Sequence, residues 1–137
     1  FIFGYILDKI GAKRTIIISL FIWLIVVIGA FFCSSIKQYY IVGIIAGLAI
    51  GSSQSSSRTM LALLTPKSKM AEFFGFYSFS GKMASIIGPV IYGEIAKITN
   101  DQRYSILSII VFFIFGAIIL ATVDEKKGIL QAKKWEN

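Results

Sequence analysis

The sequence predicts an all-α membrane protein with four transmembrane helices. Three observations carry that expectation. Four long apolar runs follow one another, separated by short charged links. Hydrophobic residues make up 56% of the chain and charged residues 15%, with a mean hydropathy of +0.79; a soluble domain carries about a quarter charged residues. Most of the Lys and Arg sit in the links rather than in the runs, as they do where positive charge fixes membrane topology.

The chain opens on Phe1-Ile2-Phe3, which reads as the tail of an apolar helix, so a longer protein is expected around it. No basic n-region, short apolar stretch and small-residue cleavage site follow in signal-peptide order. The segment Gly4-Tyr5-Ile6-Leu7-Asp8-Lys9-Ile10-Gly11-Ala12-Lys13-Arg14 is a charged hairpin with a glycine at each side of the turn. Glycines let the backbone turn, the aspartate suits a helix N-terminus, and the basic cluster holds the loop in the cytosol.

The first full span is expected over 15–32, almost wholly Ile, Leu, Val, Phe and Trp, with Ser19 and Gly29 interrupting. That length crosses a hydrocarbon core of about 30 Å. A short link with Lys37 follows, and Tyr39 and Tyr40 stand where an interfacial aromatic belt belongs. The second span is expected over 39–64. Gly43, Gly47 and Gly51 recur every fourth residue, a row that lets helices approach closely in lipid. Its second half turns polar, from Gly51 through Gln54 to Arg58, and cannot all face lipid.

Thr65-Pro66 ends that span, and the loop 66–72 carries Lys67 and Lys69. The third span, 73–98, holds Gly75, Gly81, Lys82, Ser85, Gly88, Pro89 and Gly93. The fourth, 104–123, is again nearly all apolar, and 124–137 reads as a polar cytosolic tail with four lysines. The hairpin, the Pro66 loop and the tail together carry nine Lys and Arg; the two opposite links carry three. That asymmetry puts the hairpin, the loop and the C-terminus in the cytosol.

Cys33 is the single cysteine and there is no histidine, which excludes an internal disulfide and a Cys-His nucleophile. Cys33 reads as a small apolar residue near a helix end. There is no phosphate-cradling glycine loop followed by Lys-Ser/Thr. An enzyme is therefore not expected, nor a metal or other cofactor. The net charge of +7 does not argue for nucleic acid, because it is confined to links where it sets topology and attracts anionic lipid heads.

Ionisable groups inside a membrane cost several kcal/mol unless paired or wetted, so each is a functional candidate. Lys82 lies about ten residues into the third span. Ser78, Lys82, Ser85 and Pro89 share a face by i, i+4, i+7, i+11 spacing, which suits a helix lining a water-filled cavity. The bland alternative is a lysine that snorkels or pairs with an acid elsewhere. Gln54 and Arg58 share a face near the cytoplasmic end of the second span. Arg58 either holds lipid phosphates or the carbonyls of a helix end, or pairs with Glu72 or Asp8 as a gate. Glu94 reads as structural, in reach of Lys97 at i, i+3. Gly88-Pro89 removes one backbone hydrogen bond and permits a kink.

The hairpin spacing G-x-x-x-D-K-x-G-x-K-R resembles the cytoplasmic loop signature of the major facilitator superfamily. Gln54-x-x-x-Arg58, Pro66, Glu72-Phe73-Phe74-Gly75-Phe76-Tyr77, Gly81-Lys82 and Gly88-Pro89 then occur in order. Together they resemble the C-terminal part of the vacuolar amino-acid effluxer-like branch of that superfamily, over nearly the whole chain. The resemblance implies a fragment of a twelve-helix fold built as two six-helix halves, these spans being helices nine to twelve. Because the halves are repeats, helices three to six are the alternative placement: Gly88-Pro89-x-x-x-Gly93 is similar to a glycine-proline motif of helix five in antiporters, from which Tyr92 departs. The implied function is secondary active transport of a small solute by alternating access, with amino acids the substrate class. The implied partners are the solute, the bilayer and the missing N-terminal helices of the same transporter. A non-transporting four-helix scaffold or assembly subunit is the competing class; it leaves Lys82 and its polar stripe without a reason.

Overall fold

The computed structural model describes residues 9–136. Those residues are helical almost throughout. Helix α1 covers Ala12–Phe32, α2 Ile36–Leu64, α3 Met70–Thr99, α4 Gln102–Thr122 and α5 Glu125–Lys134, with a single 3₁₀ turn at Lys67–Lys69. Each of the four apolar runs lies on one of the four long helices.

The helix ends follow local chemistry. Ser35 and Gln38 form a reciprocal capping box at the start of α2, satisfying two of the backbone donors a helix leaves open. Asn100 adopts a left-handed conformation with φ of 53° and ends α3, a conformation asparagine tolerates. Asp101 then accepts from Arg103 N at 2.8 Å and starts α4. Helix α3 runs unbroken through Pro89.

Successive long helices are antiparallel, so the hairpin residues Gly11 to Arg14, the Pro66 turn and α5 all sit at one end of the bundle. Helix α1 packs on α2 and on α4, α4 packs on α3, and α2 touches α3 only narrowly. The order across the bundle is α2, α1, α4, α3. Its two most apolar members are in the middle. Trp23 and Phe113 join α1 to α4 with ring centroids 5.5 Å apart, and Phe31 meets Tyr104 at 6.3 Å. Such aromatic pairs add to simple burial.

The burial pattern is the inverse of a water-soluble protein's. Thr15, Ser19, Ser52, Ser56 and Ser105 are fully buried, whereas Phe21, Ile25, Phe115 and Ile119 are each at least 60% exposed. In water each of those outward side chains would forgo roughly 1.5–3 kcal/mol of burial. In lipid they lose nothing, and small residues between helices allow close backbone approach. Ser19 Oγ donates to Ser52 Oγ at 2.9 Å across the α1–α2 contact, with Thr15 O a second acceptor at 3.0 Å. The hydroxyls of Ser52 and Ser56 return to their own helix, donating to Ala49 O and Ser52 O.

Two findings differ from the sequence reading. It expects four spans, but α1 and α4 alone among the described residues are long and apolar enough to cross a membrane by length and composition. Helices α2 and α3 have the length, at 29 and 30 residues; the polar run 51–58 and the Lys82 stripe dilute them. The second difference is the tail. Asp124 accepts from Lys127 N and caps a ten-residue amphipathic helix, which packs on α2 rather than hanging free.

Candidate functional site

Helix α2 carries two rows of small residues on opposite sides. Ala49, Ser52, Ser56 and Met60 are buried and make the α1 contact. At 100° per residue, Gly43, Gly47 and Gly51 lie about 180° away. A Cβ added at any of these glycines would meet nothing within 4 Å. The close helix packing expected at the glycine row is made here by the serine row instead. Gln54 and Arg58 fall on the glycine side by the same rotation and are exposed. Arg58 has no ion pair among the described residues.

Helix α3 is exposed at every residue from 81 to 90. Lys82, Ser78 and Ser85 are all exposed, and Lys82 has no ion pair among the described residues. Ser85 Oγ donates to Lys82 O at 2.7 Å, so that hydroxyl is already committed to its own helix. A groove of about 930 Å³ separates α3 from α4, lined by Phe79, Met83, Ile87, Tyr92, Ile109 and Phe112 among others. Ser80, Met83, Ala84 and Ile87 sit roughly opposite Lys82 around the helix, and Lys82 is not among the residues that line the groove. Gly88 and Pro89 also border the groove. Thus the two polar faces expected from sequence, Gln54–Arg58 and Ser78–Lys82–Ser85, belong to the two outer helices of the row and are uncovered by the described residues.

Ion pairs among the described residues join Lys69 to Glu72 at 4.0 Å and Lys127 to Asp124 at 3.8 Å. Glu72 therefore meets Lys69 rather than Arg58, and Glu94 does not meet Lys97. Gly4 and Asp8 lie outside the described residues.

The loop-signature residues build a clamp that sequence reasoning missed. Gly11 starts α1 at φ 89° and ψ 159° and offers no side-chain cap. Glu125 supplies one from the far end of the chain: its Oε1 accepts from Ala12 N at 3.2 Å and its Oε2 from Lys13 N at 3.3 Å. The Lys13 ammonium donates to Ala121 O at 2.9 Å and Val123 O at 2.6 Å. A carboxylate thus meets the positive end of α1 and an ammonium the negative end of α4. Lys9 and Arg14 flank this joint and are exposed. Farther on, Glu136 Oε1 accepts from Lys67 N at 2.9 Å, and Lys69 Nζ stands 5.4 Å from the centre of the Trp135 ring. The signal for the clamp was present in the sequence: Asp124-Glu125 directly after an apolar span, then apolar residues at Ile129, Ala132 and Trp135 on a lysine-rich segment.

A profile described as "Vacuole effluxer Atg22 like" matches residues 1–133. The chain belongs to this family. Proteins similar to it include the MFS-type transporter YxiO of Bacillus subtilis, 33% identical over 125 residues, covering 91% of this chain and 29% of that protein. Autophagy-related protein 22 of Cryptococcus neoformans is 32% identical over 99 residues, covering 72% of this chain and 17% of that protein. The protein of the same name from Kluyveromyces lactis is 29% identical over 97 residues, covering 71% and 20%. The chain therefore spans less than a third of the length of these relatives. No solved structure matches it. With the inverted burial and two long apolar helices, membership of this family identifies a membrane protein of the major facilitator type.

Proposed function

We propose that this chain is the C-terminal part of a multi-pass secondary transporter that moves a small solute, amino acids being the first class to test, by alternating access. All four long helices cross the membrane in this reading. Helices α1 and α4 face lipid with their apolar surfaces. Helices α2 and α3 turn their polar faces toward the solute path and the helices that precede this chain in the intact protein. One observation supports it above the rest. Gln54, Arg58 and Lys82 all lie on the outer helices of the row, on faces the described residues leave uncovered. In hydrocarbon, a lysine, an arginine and a glutamine left there would be costly; against a wetted path between two halves they are not. Nine positive charges against three in the links support a cytosolic placement of the clamped end.

The test is flux. Full-length protein reconstituted in liposomes should exchange or accumulate radiolabelled amino acids faster than empty liposomes, saturably. No flux across a panel of all common amino acids would remove that substrate class. No flux of any small solute, with the protein folded and correctly inserted, would favour the scaffold alternative.

A further inference from the structure

The partners of α5 are all helix ends. It starts three residues after Thr122, its Glu125 caps the first turn of α1, and the site of Gly128 presses on Leu64, the last residue of α2. A helix laid against those ends has its axis about 5 Å beyond them, within the headgroup layer if the helices end at the hydrocarbon boundary.

The two sides of α5 differ. Gly128 and Ala132 face the bundle and Ala132 is buried. On the opposite side Lys126, Leu130 and Lys134 form an i, i+4, i+8 row flanked by Lys133, all exposed. Lys127 is engaged with Asp124 at 3.8 Å; Lys126, Lys133 and Lys134 have no ion pair among the described residues. Leu130 is 61% exposed in the middle of them. An apolar side chain ringed by lysines at headgroup depth is the pattern of an interfacial helix on an anionic surface.

We propose that the outer face of α5 binds the anionic lipid headgroups of the leaflet at its end of the bundle, Lys126, Lys133 and Lys134 meeting phosphates and Leu130 entering between them. The opposite face holds the α1 cap and the Pro66 turn, so lipid binding and the clamp stabilise the same docked helix. The inference rests on the membrane crossing of α1 and α4 and not on transport, so a failed flux assay leaves it standing.

The experiment uses full-length protein in nanodiscs, of phosphatidylcholine alone or with about a third phosphatidylglycerol. Hydrogen exchange of amides 125–134 is followed by mass spectrometry. Exchange should be about tenfold slower in the anionic discs. The difference should shrink as salt is raised toward about 1 M, persist in K126R/K133R/K134R and vanish in K126Q/K133Q/K134Q. Equal exchange of the wild type in the two bilayers would overturn the proposal and point to an acidic protein segment as the partner. A difference that survives either high salt or the glutamine variant would overturn it too. The wild-type and salt comparisons decide the matter even if the glutamine variant does not fold.

Discussion

The backbone N–H of Lys13 donates to Glu125 Oε2 at 3.3 Å, while the ammonium of the same lysine holds the carbonyls of Ala121 and Val123. One residue thereby receives a cap for its own helix and supplies one for another, across a separation of 112 residues. The two oppositely oriented helix ends lie side by side, so a carboxylate and an ammonium each meet the dipole end of opposite sign.

Removing either group should loosen this joint. Glu125→Ala leaves two first-turn N–H groups of α1 without their acceptor and should cost about 1–2 kcal/mol. Glu125→Gln, which keeps one acceptor oxygen, should cost about half as much. Lys13→Met should cost a similar amount, and the double variant less than the sum, because both substitutions open one joint. Thermal unfolding of the full-length protein gives the ranking. Strict additivity would mean that the two residues act separately.

Gly11 should not tolerate a side chain. Its φ of 89° and ψ of 159° fall in a region that only glycine populates readily, and placing another residue there costs about 1–3 kcal/mol. A Cβ would stand 3.5 Å from Glu125 Oε2, an ordinary contact, so the cost is backbone strain and not collision. Gly11→Asn should therefore be no better than Gly11→Ala, since asparagine relieves strain in the left-handed helical region and not here. Full stability in Gly11→Ala would show that the turn relaxes to negative φ.

The long helices were legible in sequence because apolar runs, Thr65-Pro66 and Asn100-Asp101 mark them within a few residues. The choice of face on α2 was not. Glycine and serine rows on one helix both satisfy the small-residue rule for close packing, and periodicity alone does not say which row meets the covalent neighbour. The serine row wins the α1 contact because Ser52 finds Ser19 across it. The clamp was hidden for another reason. Asp124 to Lys134 has the charge density of a solvated tail, yet it is a helix that docks through Glu125 on α1 and packs on α2. Such contacts join residues more than 60 positions apart, so the local pattern after Asp124 does not name their partners. The polar faces of Gln54, Arg58 and Lys82 were legible as faces, since helical spacing fixes them; nothing among the described residues covers them.

The two rows on α2 should respond differently to bulk. Ser52→Leu places a large side chain in the α1 contact and should separate the helices, costing about 1–3 kcal/mol or more. Ser19→Ala should cost only about 0.6 kcal/mol, because Ser52 still donates to Ala49 O. Gly47→Leu meets open space within this chain. It should leave cross-linking between cysteines placed across the α1–α2 contact unchanged. In the full-length protein it should still impair folding or flux, if a preceding helix packs on the glycine row. Unchanged folding and flux would assign that row to lipid.

Lys82 should matter to transport and not to folding. It is exposed, lacks an ion pair among the described residues, and sits about 18 Å from the start of α3 at 1.5 Å per residue, near the middle of the hydrocarbon core in the four-span reading proposed above. Truncating it removes no contact that holds these four helices together; the hydroxyl of Ser85 bonds the Lys82 carbonyl, which Lys82→Ala retains. What truncation does remove is a positive charge on the uncovered face of α3. In the transporter proposed above, that charge would attract an anionic group of the solute, or exchange partners with an acid on another helix as two halves rock. Flux in Lys82→Ala liposomes should fall at least about tenfold, the loss expected when one charge-assisted contact worth about 1.5–3 kcal/mol is removed, with expression and unfolding temperature close to wild type. Lys82→Arg should keep part of the flux if charge is what is needed, and little if a compact ammonium is. Wild-type flux kinetics in Lys82→Ala would leave a snorkelling lysine, and would move the search for the solute contact to Gln54 and Arg58.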